Sequence, residues 1–216
     1  MTDKHFTTTI NGVPLSFHTH QDLFSPNHPD TGTRAMLSCV ALSPDDKVLD
    51  LGCGYGLVGI LAAKLIGPDR VTMVDSSDLC IEYARRNAAE NGVPSIRIVK
   101  SDGLADIDDA GFTLILCNPP YHVDFDVPKR FVHKGFNRMA LGGRFVMVTK
   151  RLLWYKNKLT GIFGGVKVRE VDGYYVFESI KKGMTYAKVE NPAILKKSRK
   201  RARQETADRH ARASRD

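Results

Sequence analysis

The sequence predicts an α/β domain: a mostly parallel, seven-stranded sheet with helices on both faces and an antiparallel hairpin strand at its C-terminal end. Three observations predict it. From residue 47 onward, short apolar runs alternate with segments of helical periodicity, and repeated strand–helix units give parallel strands joined by right-handed crossovers. Gly-Pro, Asn-Gly and paired glycines punctuate the boundaries. Further on, Asp172-Gly173 separates two runs of β-branched and aromatic residues, a strong two-residue hairpin signal.

Residues 47–51 (KVLDL) form a short apolar run ending in glycines, the pattern of a buried strand. Residues 55–66 follow as a helix with Leu57, Val58, Leu61, Ala62 and Leu65 on one stripe, stopped by Gly67-Pro68. Residues 70–75 (RVTMVD) make a second strand. Residues 78–91 make a second helix, with Leu79, Tyr83, Ala84 and Ala88 inward and Asn91-Gly92 at its end. Residues 95–100 and 112–118 are the third and fourth strands. A third helix starts near Pro128, a residue suited to a first helical turn, and runs to about Ala140, before Gly142-Gly143. Residues 144–149 are the next strand and 152–163 the next helix. Residues 166–171 and 174–178 form the hairpin.

Composition fits a folded domain. The 216 residues are 42% hydrophobic and 26% charged, enough to build a full core and too apolar for wholesale disorder. No apolar run approaches the ~18 residues of a membrane span. The start, Met1-Thr2-Asp3-Lys4-His5, lacks a signal peptide's basic and apolar regions, so the expected location is the cytoplasm. Cys39, Cys53, Cys80 and Cys117 are widely spaced and read as reduced, mostly buried thiols, with no structural zinc. His18, His20 and His28 lack carboxylates at ligand spacing, so no metal is expected.

The chain divides into a lead-in over residues 1–45, a main domain over 46–190 and a basic tail over 191–216. The formal charge is +8, and residues 196–216 alone carry nine Lys/Arg against three Asp/Glu. That tail has almost no large apolar side chains and reads as mobile or marginally helical. It serves either as a solubilising end or as a phosphate-binding arm.

Ligands in such a sheet bind beyond the C-terminal ends of the strands, near the switch in strand order. Four segments stand there. After the first strand comes Asp50-Leu51-Gly52-Cys53-Gly54-Tyr55-Gly56, a G-x-G-x-G loop feeding a helix N-terminus. Its acid repels a pyrophosphate and attracts an ammonium group, which favours an amino-acid-bearing nucleotide over a dinucleotide. Asp75, 23 residues beyond Gly52, stands at the interval of a ribose-binding acid, or caps the next helix. Asp102, in Ser101-Asp102-Gly103, accepts from an adenine amino group or simply makes a turn. Asn118-Pro119-Pro120-Tyr121 is the most specific signal: two prolines remove N–H donors, so the backbone presents acceptors suited to a planar NH2 group.

Together these segments resemble the class I S-adenosylmethionine-dependent methyltransferases, whose fold is Rossmann-like. The N-P-P-Y element resembles the amino-methylating branch, and within it the chain resembles the small-domain methyltransferases, best known from ribosomal RNA guanine-N2 methylation. Phe24-Ser25, Asp30-Thr31-Gly32-Thr33 and Gly173-Tyr174-Tyr175-Val176-Phe177 extend the resemblance over roughly residues 20–180. It implies the cofactor S-adenosyl-L-methionine. Gly52, Gly54 and Gly56 would face its methionine part, Asp50 its amino group, and Thr31, Gly32 and Thr33 the same end. Asp75 would bind the ribose and Asp102 the adenine, with Ser76 and Gly103 beside them. Asn118 and the Pro119 carbonyl would hold the target amine, Pro120 would stiffen the loop and Tyr121 would stack on the base. Tyr121 stands where guanine-N2 relatives often carry Phe; Tyr is frequent in adenine and glutamine amino-methylators.

The implied partner is ribosomal RNA or a ribosomal subunit. The implied activity is methylation of guanine N2. Alternatives are adenine N6 of a nucleic acid, glutamine N5 of a protein, or a non-catalytic RNA-binding protein on this fold. Basic residues that suit RNA follow the site: His122, Lys129, Arg130, His133 and Lys134, then Lys150, Arg151, Trp154, Tyr155, Lys156 and Lys158. Singly, each is better read as a solvated face or, for the two aromatics, as core.

Overall fold

The computed structural model describes residues 3–119 and 125–187. Pro120, Tyr121 and His122, with the expectations placed on them, lie outside the described residues, as does the basic tail.

The main sheet holds β3 (Val48–Leu51), β4 (Val71–Asp75), β5 (Arg97–Lys100), β6 (Phe112–Cys117), β7 (Met139–Thr149), β8 (Lys167–Val171) and β9 (Tyr174–Ile180). Its seven strands run in the order β5-β4-β3-β6-β7-β9-β8. The first five are parallel, and β9 and β8 close the edge antiparallel. This is the sheet expected from the alternating pattern. Asp172 and Gly173 take φ of 51° and 75°, the left-handed pair that a type I′ turn requires.

Side chains alternate between two cores, as the pleat dictates. Val48, Leu114, Leu116, Val146 and Val148 face one side, covered by α1 (Thr31–Ser38), α2 (Leu57–Ile66) and α3 (Asp78–Glu90). Leu49, Leu51, Ile115, Phe145 and Met147 face the other, covered by α4 (Asp126–Arg138) and α5 (Leu153–Phe163). Leu65, expected on the inner stripe of α2, is instead 42% exposed at its last turn.

Two regions differ from the sequence reading. The third helix ends at Arg138, and β7 runs through Gly142-Gly143 instead of starting after them. Gly142 takes φ +79°, and the pairing register with β6 shifts there, so the glycines form a bulge inside a strand. Lys181 holds the bulge by exchanging backbone hydrogen bonds with Gly142 and Gly143 at 2.8 and 2.9 Å. The lead-in, to which the sequence pattern assigns no elements, carries a hairpin and a helix. β1 (Asp3–Ile10) and β2 (Val13–His20) form a hairpin about Asn11-Gly12, at φ 52° and 76°.

That hairpin is tied to α3 by two asparagines one helical turn apart. Asn87 Oδ1 accepts from the His18 N–H at 2.8 Å, and Asn87 Nδ2 donates to the His18 carbonyl at 2.9 Å. Asn91 treats Ser16 the same way, at 3.0 and 2.7 Å. The two amides thus reproduce a β-ladder along the edge of β2. Phe17, between them in sequence, is fully buried and edge-on to Tyr55 at 5.4 Å.

Candidate functional site

Beyond the C-terminal ends of the parallel strands lies a cleft of about 450 Å³, a size within the usual range for small-molecule sites. It opens where the strand order reverses, between β3 and β6. Its lining includes Asp50, Gly52, Gly54, Asp75, Ser76, Asp102, Gly103, Asn118 and Pro119. All four strand-end segments therefore converge on one cavity.

The glycine loop needs its glycines for different reasons. Gly52, Gly54 and Gly56 all take positive φ, at 80°, 56° and 100°. A Cβ at Gly54 would meet no atom within 4 Å, whereas one at Gly56 would lie 2.8 Å from Met73 Cε and 2.9 Å from Ile60 Cδ1. Gly54 thus borders open volume. Gly56 does not line the cleft; it is the left-handed N-cap of α2 and lets that helix pack against β4. The loop is pinned to β4 by Gly52 and Cys53 N–H bonds to the Val74 carbonyl, both 2.9 Å.

Three carboxylates act in distinct ways. Asp50 is buried, and its Oδ2 accepts from the Gly59 N–H at 2.8 Å. Burial pushes its carboxyl up to about 7; the Gly59 bond lowers it, and the Asp75 charge raises it further. Asp75 is half-buried at the end of β4. Its Oδ2 accepts from the Gly54 N–H at 2.9 Å and its Oδ1 from the Ser77 N–H at 3.0 Å, while Ser77 caps α3. Asp102 is exposed and pairs with Arg130 of α4 at 2.8 Å, which bridges the rim of the cleft. Cys53 and Cys80 line the wall as neutral thiols, and burial pushes Cys80 up to about 11. Of the four cysteines, Cys53 and Cys117 are buried and Cys39 and Cys80 partly so; all four are free.

Asn118 follows β6 directly. Its Nδ2 donates to Asp30 Oδ2 at 3.0 Å and to Thr33 Oγ1 at 2.9 Å. A carboxylate can only accept, so this pairing fixes which end of the amide is NH2 and which is carbonyl. Asp30 is also the N-cap of α1, taking the Thr33 N–H at 2.9 Å. Thr31 and Gly32 sit on α1 without lining the cleft; Thr31 is exposed and Gly32 buried. From that segment it is Asp30 and Thr33 that reach the site.

Sequence reasoning also missed Gly59 and Phe131. A Cβ at Gly59 would lie 2.4 Å from Met73 Cγ, so only glycine brings the α2 backbone close enough to serve Asp50. Phe131 lines the cleft and lies against Gly52 and Gly103, where added Cβ atoms would be 3.6 and 3.4 Å from its ring. Phe24, 54% exposed, lies at the mouth. Of the aromatics after β7, Tyr155 is core, while Trp154 stacks on Phe125 at 4.4 Å with Arg151 over the same ring at 5.0 Å. Among the described residues no group of three or more His, Cys, Asp or Glu is arranged to hold a metal, and no helix is long and apolar enough to cross a membrane.

Fold and site together define a class I, nucleotide-cofactor type of α/β domain, with its cleft at the switch point and Asn118 and Pro119 in the lining. The family model "Methyltransferase small domain" matches residues 14–178, and the chain belongs to that family. The ribosomal RNA large subunit methyltransferase G of Psychromonas ingrahamii is 31% identical over 75% of this chain and 44% of its own length. The ribosomal RNA small subunit methyltransferase C of Pseudomonas putida is 28% identical over 82% of this chain and 54% of its own. Among solved structures, the 16S rRNA N2 methyltransferase RsmC of T. thermophilus, in complex with AdoMet and guanosine, superposes with a TM-score of 0.72. It is 27% identical and is matched over 83% of this chain and 51% of its own. The chain spans about half the length of the curated relatives it matches.

Proposed function

We propose that this protein is an S-adenosyl-L-methionine-dependent N-methyltransferase that acts on guanine N2 of ribosomal RNA, in the cytoplasm. The observation that carries the reading is the Asn118 amide, clamped by Asp30 and Thr33 beside a cleft that also holds Asp50 and Asp75. The donor set fits the cofactor. Asp50, once ionised, is an acceptor for an ammonium, Asp75 keeps lone pairs for ribose hydroxyls, and Gly54 borders the open volume beside them. The ribosomal RNA methyltransferases among the relatives support the substrate class, and a structural neighbour solved with guanosine supports the base.

When bound, the cofactor supplies an electrophilic methyl group on a sulfonium. The protein's own task is to present the nucleophile. An exocyclic amine conjugated to a purine is weakly nucleophilic because its lone pair is delocalised into the ring. The Asn118 side-chain carbonyl and the Pro119 main-chain carbonyl are two acceptors for its N–H groups. Held by both, the nitrogen pyramidalises and its lone pair points away from the ring. Such alignment accounts for several kcal/mol of barrier lowering, up to about 7–11 in favourable systems. The amine becomes acidic only after transfer, so water can take the proton and no strong base is required. A paired guanine has to leave its stack to reach the cleft.

The test is transfer of a labelled methyl group to deproteinised ribosomal RNA from cells lacking the gene. Asn118→Ala should lower kcat by about 100-fold or more while the cofactor Kd stays within about threefold. Retained transfer by Asn118→Ala contradicts the mechanism.

A further inference from the structure

The α4 helix begins just after the N-P-P-Y segment and carries a shallow groove lined by Asp126, Lys129, Arg130, His133 and Lys134. Lys129 and His133 are one turn apart and share a face. Lys158, from the neighbouring α5, adds a second ammonium beside them. The three are close enough to act on one another: His133 and Lys158 are lowered first by burial, then by neighbouring lysines, Lys158 and Lys129 for His133 and Lys129 for Lys158. Asp126, in the first turn of α4, is the one carboxylate in the lining. Arg130 is neutralised by Asp102, yet it lines both this groove and the cofactor cleft, so the two are continuous.

Like charges gathered on two packed elements repel one another in the free protein. An anion between them relieves that repulsion. We propose that the α4–α5 groove binds the phosphodiester backbone of the RNA strand flanking the target nucleotide. The inference rests on the RNA reading above and adds where the strand runs. A base turned into the cleft stays bonded to its neighbours, so their phosphates must lie near the rim, and Arg130 marks the side on which the positive groove opens. Lys129, Lys134 and Lys158 take one phosphate each as point charges. His133 joins them as an N–H donor. Such contacts fix the strand's position without reading sequence.

The test is equilibrium binding of deproteinised ribosomal RNA by the full-length protein over a salt series. Three forms are compared: wild type, Lys129→Gln/Lys134→Gln/Lys158→Gln, and Lys64→Gln/Arg70→Gln/Arg85→Gln. The last removes the same charge from exposed positions on or next to the helices that cover the opposite face. Each single-strand phosphate contact contributes about −0.7 to the slope of log K against log salt. The groove variant should therefore lose about 2 from the slope and bind about tenfold or more weakly, with its cofactor Kd unchanged. The control variant should stay near wild type. A groove variant whose slope stays within about 0.5 of wild type overturns the proposal, as do an equal loss in the control and a wild type that binds no RNA. Binding is read without turnover, so this outcome stands apart from whether methyl transfer occurs.

Discussion

At the scale of single residues, the site depends on groups whose partners leave them one orientation. Asp30 shows this best. Asp30→Asn keeps a good helix N-cap, but an amide can both donate and accept, so Asn118 loses its fixed orientation. The expected outcome is a kcat lowered on the order of 10–100-fold at unchanged cofactor Kd, with α1 intact by hydrogen exchange. Unchanged kcat would mean that Asp30 only caps its helix. Asp50 makes a second prediction. Its carboxyl is raised to about 7 by burial, so the folded protein holds that proton more tightly than the unfolded chain does. The unliganded fold should lose stability as pH rises from about 4 to about 7 and level off above. Affinity for an ammonium-bearing cofactor should move oppositely, rising by up to about tenfold per pH unit below about 7 and then flattening. Asp50→Asn should remove that pH dependence, which titration calorimetry across pH 5–8 reads directly. Both carboxylates were visible in the sequence, but only Asp50 could be assigned a contact. Asp30 lies 88 residues from Asn118, and no local pattern announces a pairing across that separation.

At the scale of elements, most strands and helices after residue 47 were legible because apolar runs alternate with helical periodicity and glycine or proline closes several of them. The hairpin before them was equally signalled, by Asn11-Gly12 and by the alternation of Val13, Leu15 and Phe17 in β2; β1, with three successive threonines, carries little apolar pattern of its own. What holds the hairpin could not be read locally, because polar Asn87, on the inner face of α3, and Asn91, its C-cap, are buried where apolar residues would be expected. Asn87 also donates to the Tyr55 carbonyl at 2.9 Å, linking the hairpin to the loop before α2. Asn87→Ala should cost about 2–3 kcal/mol, since it leaves buried main-chain groups unpaired. For a domain of this size that lowers Tm by on the order of 5–10 °C. Glu90→Ala, one turn away and exposed, should shift it by less than about 2 °C. Equal shifts in the two variants would contradict the clip. The β7 bulge was illegible for another reason: Gly142-Gly143 reads as a helix stop, and the pairing of Lys181 with both glycines is a long-range fact.

At the scale of the whole molecule, the sheet gathers four strand ends and one helix N-cap around a single cleft, and the basic helix α4 borders it. The fold and the cofactor edge were readable because the ligand position follows from strand order. The course proposed for the RNA was not, because it depends on α4 and α5 lying side by side. The central claim is that this arrangement presents a guanine amine for methyl transfer. Nucleoside mass spectrometry of ribosomal RNA from a gene-deletion strain, after incubation with the purified protein and S-adenosyl-L-methionine, tests it most directly. The account predicts N2-methylguanosine, formed by wild type and lost in Asn118→Ala. Methyladenosine as the product, label in protein alone, or no transfer to RNA or ribosomal subunits despite cofactor binding would contradict it.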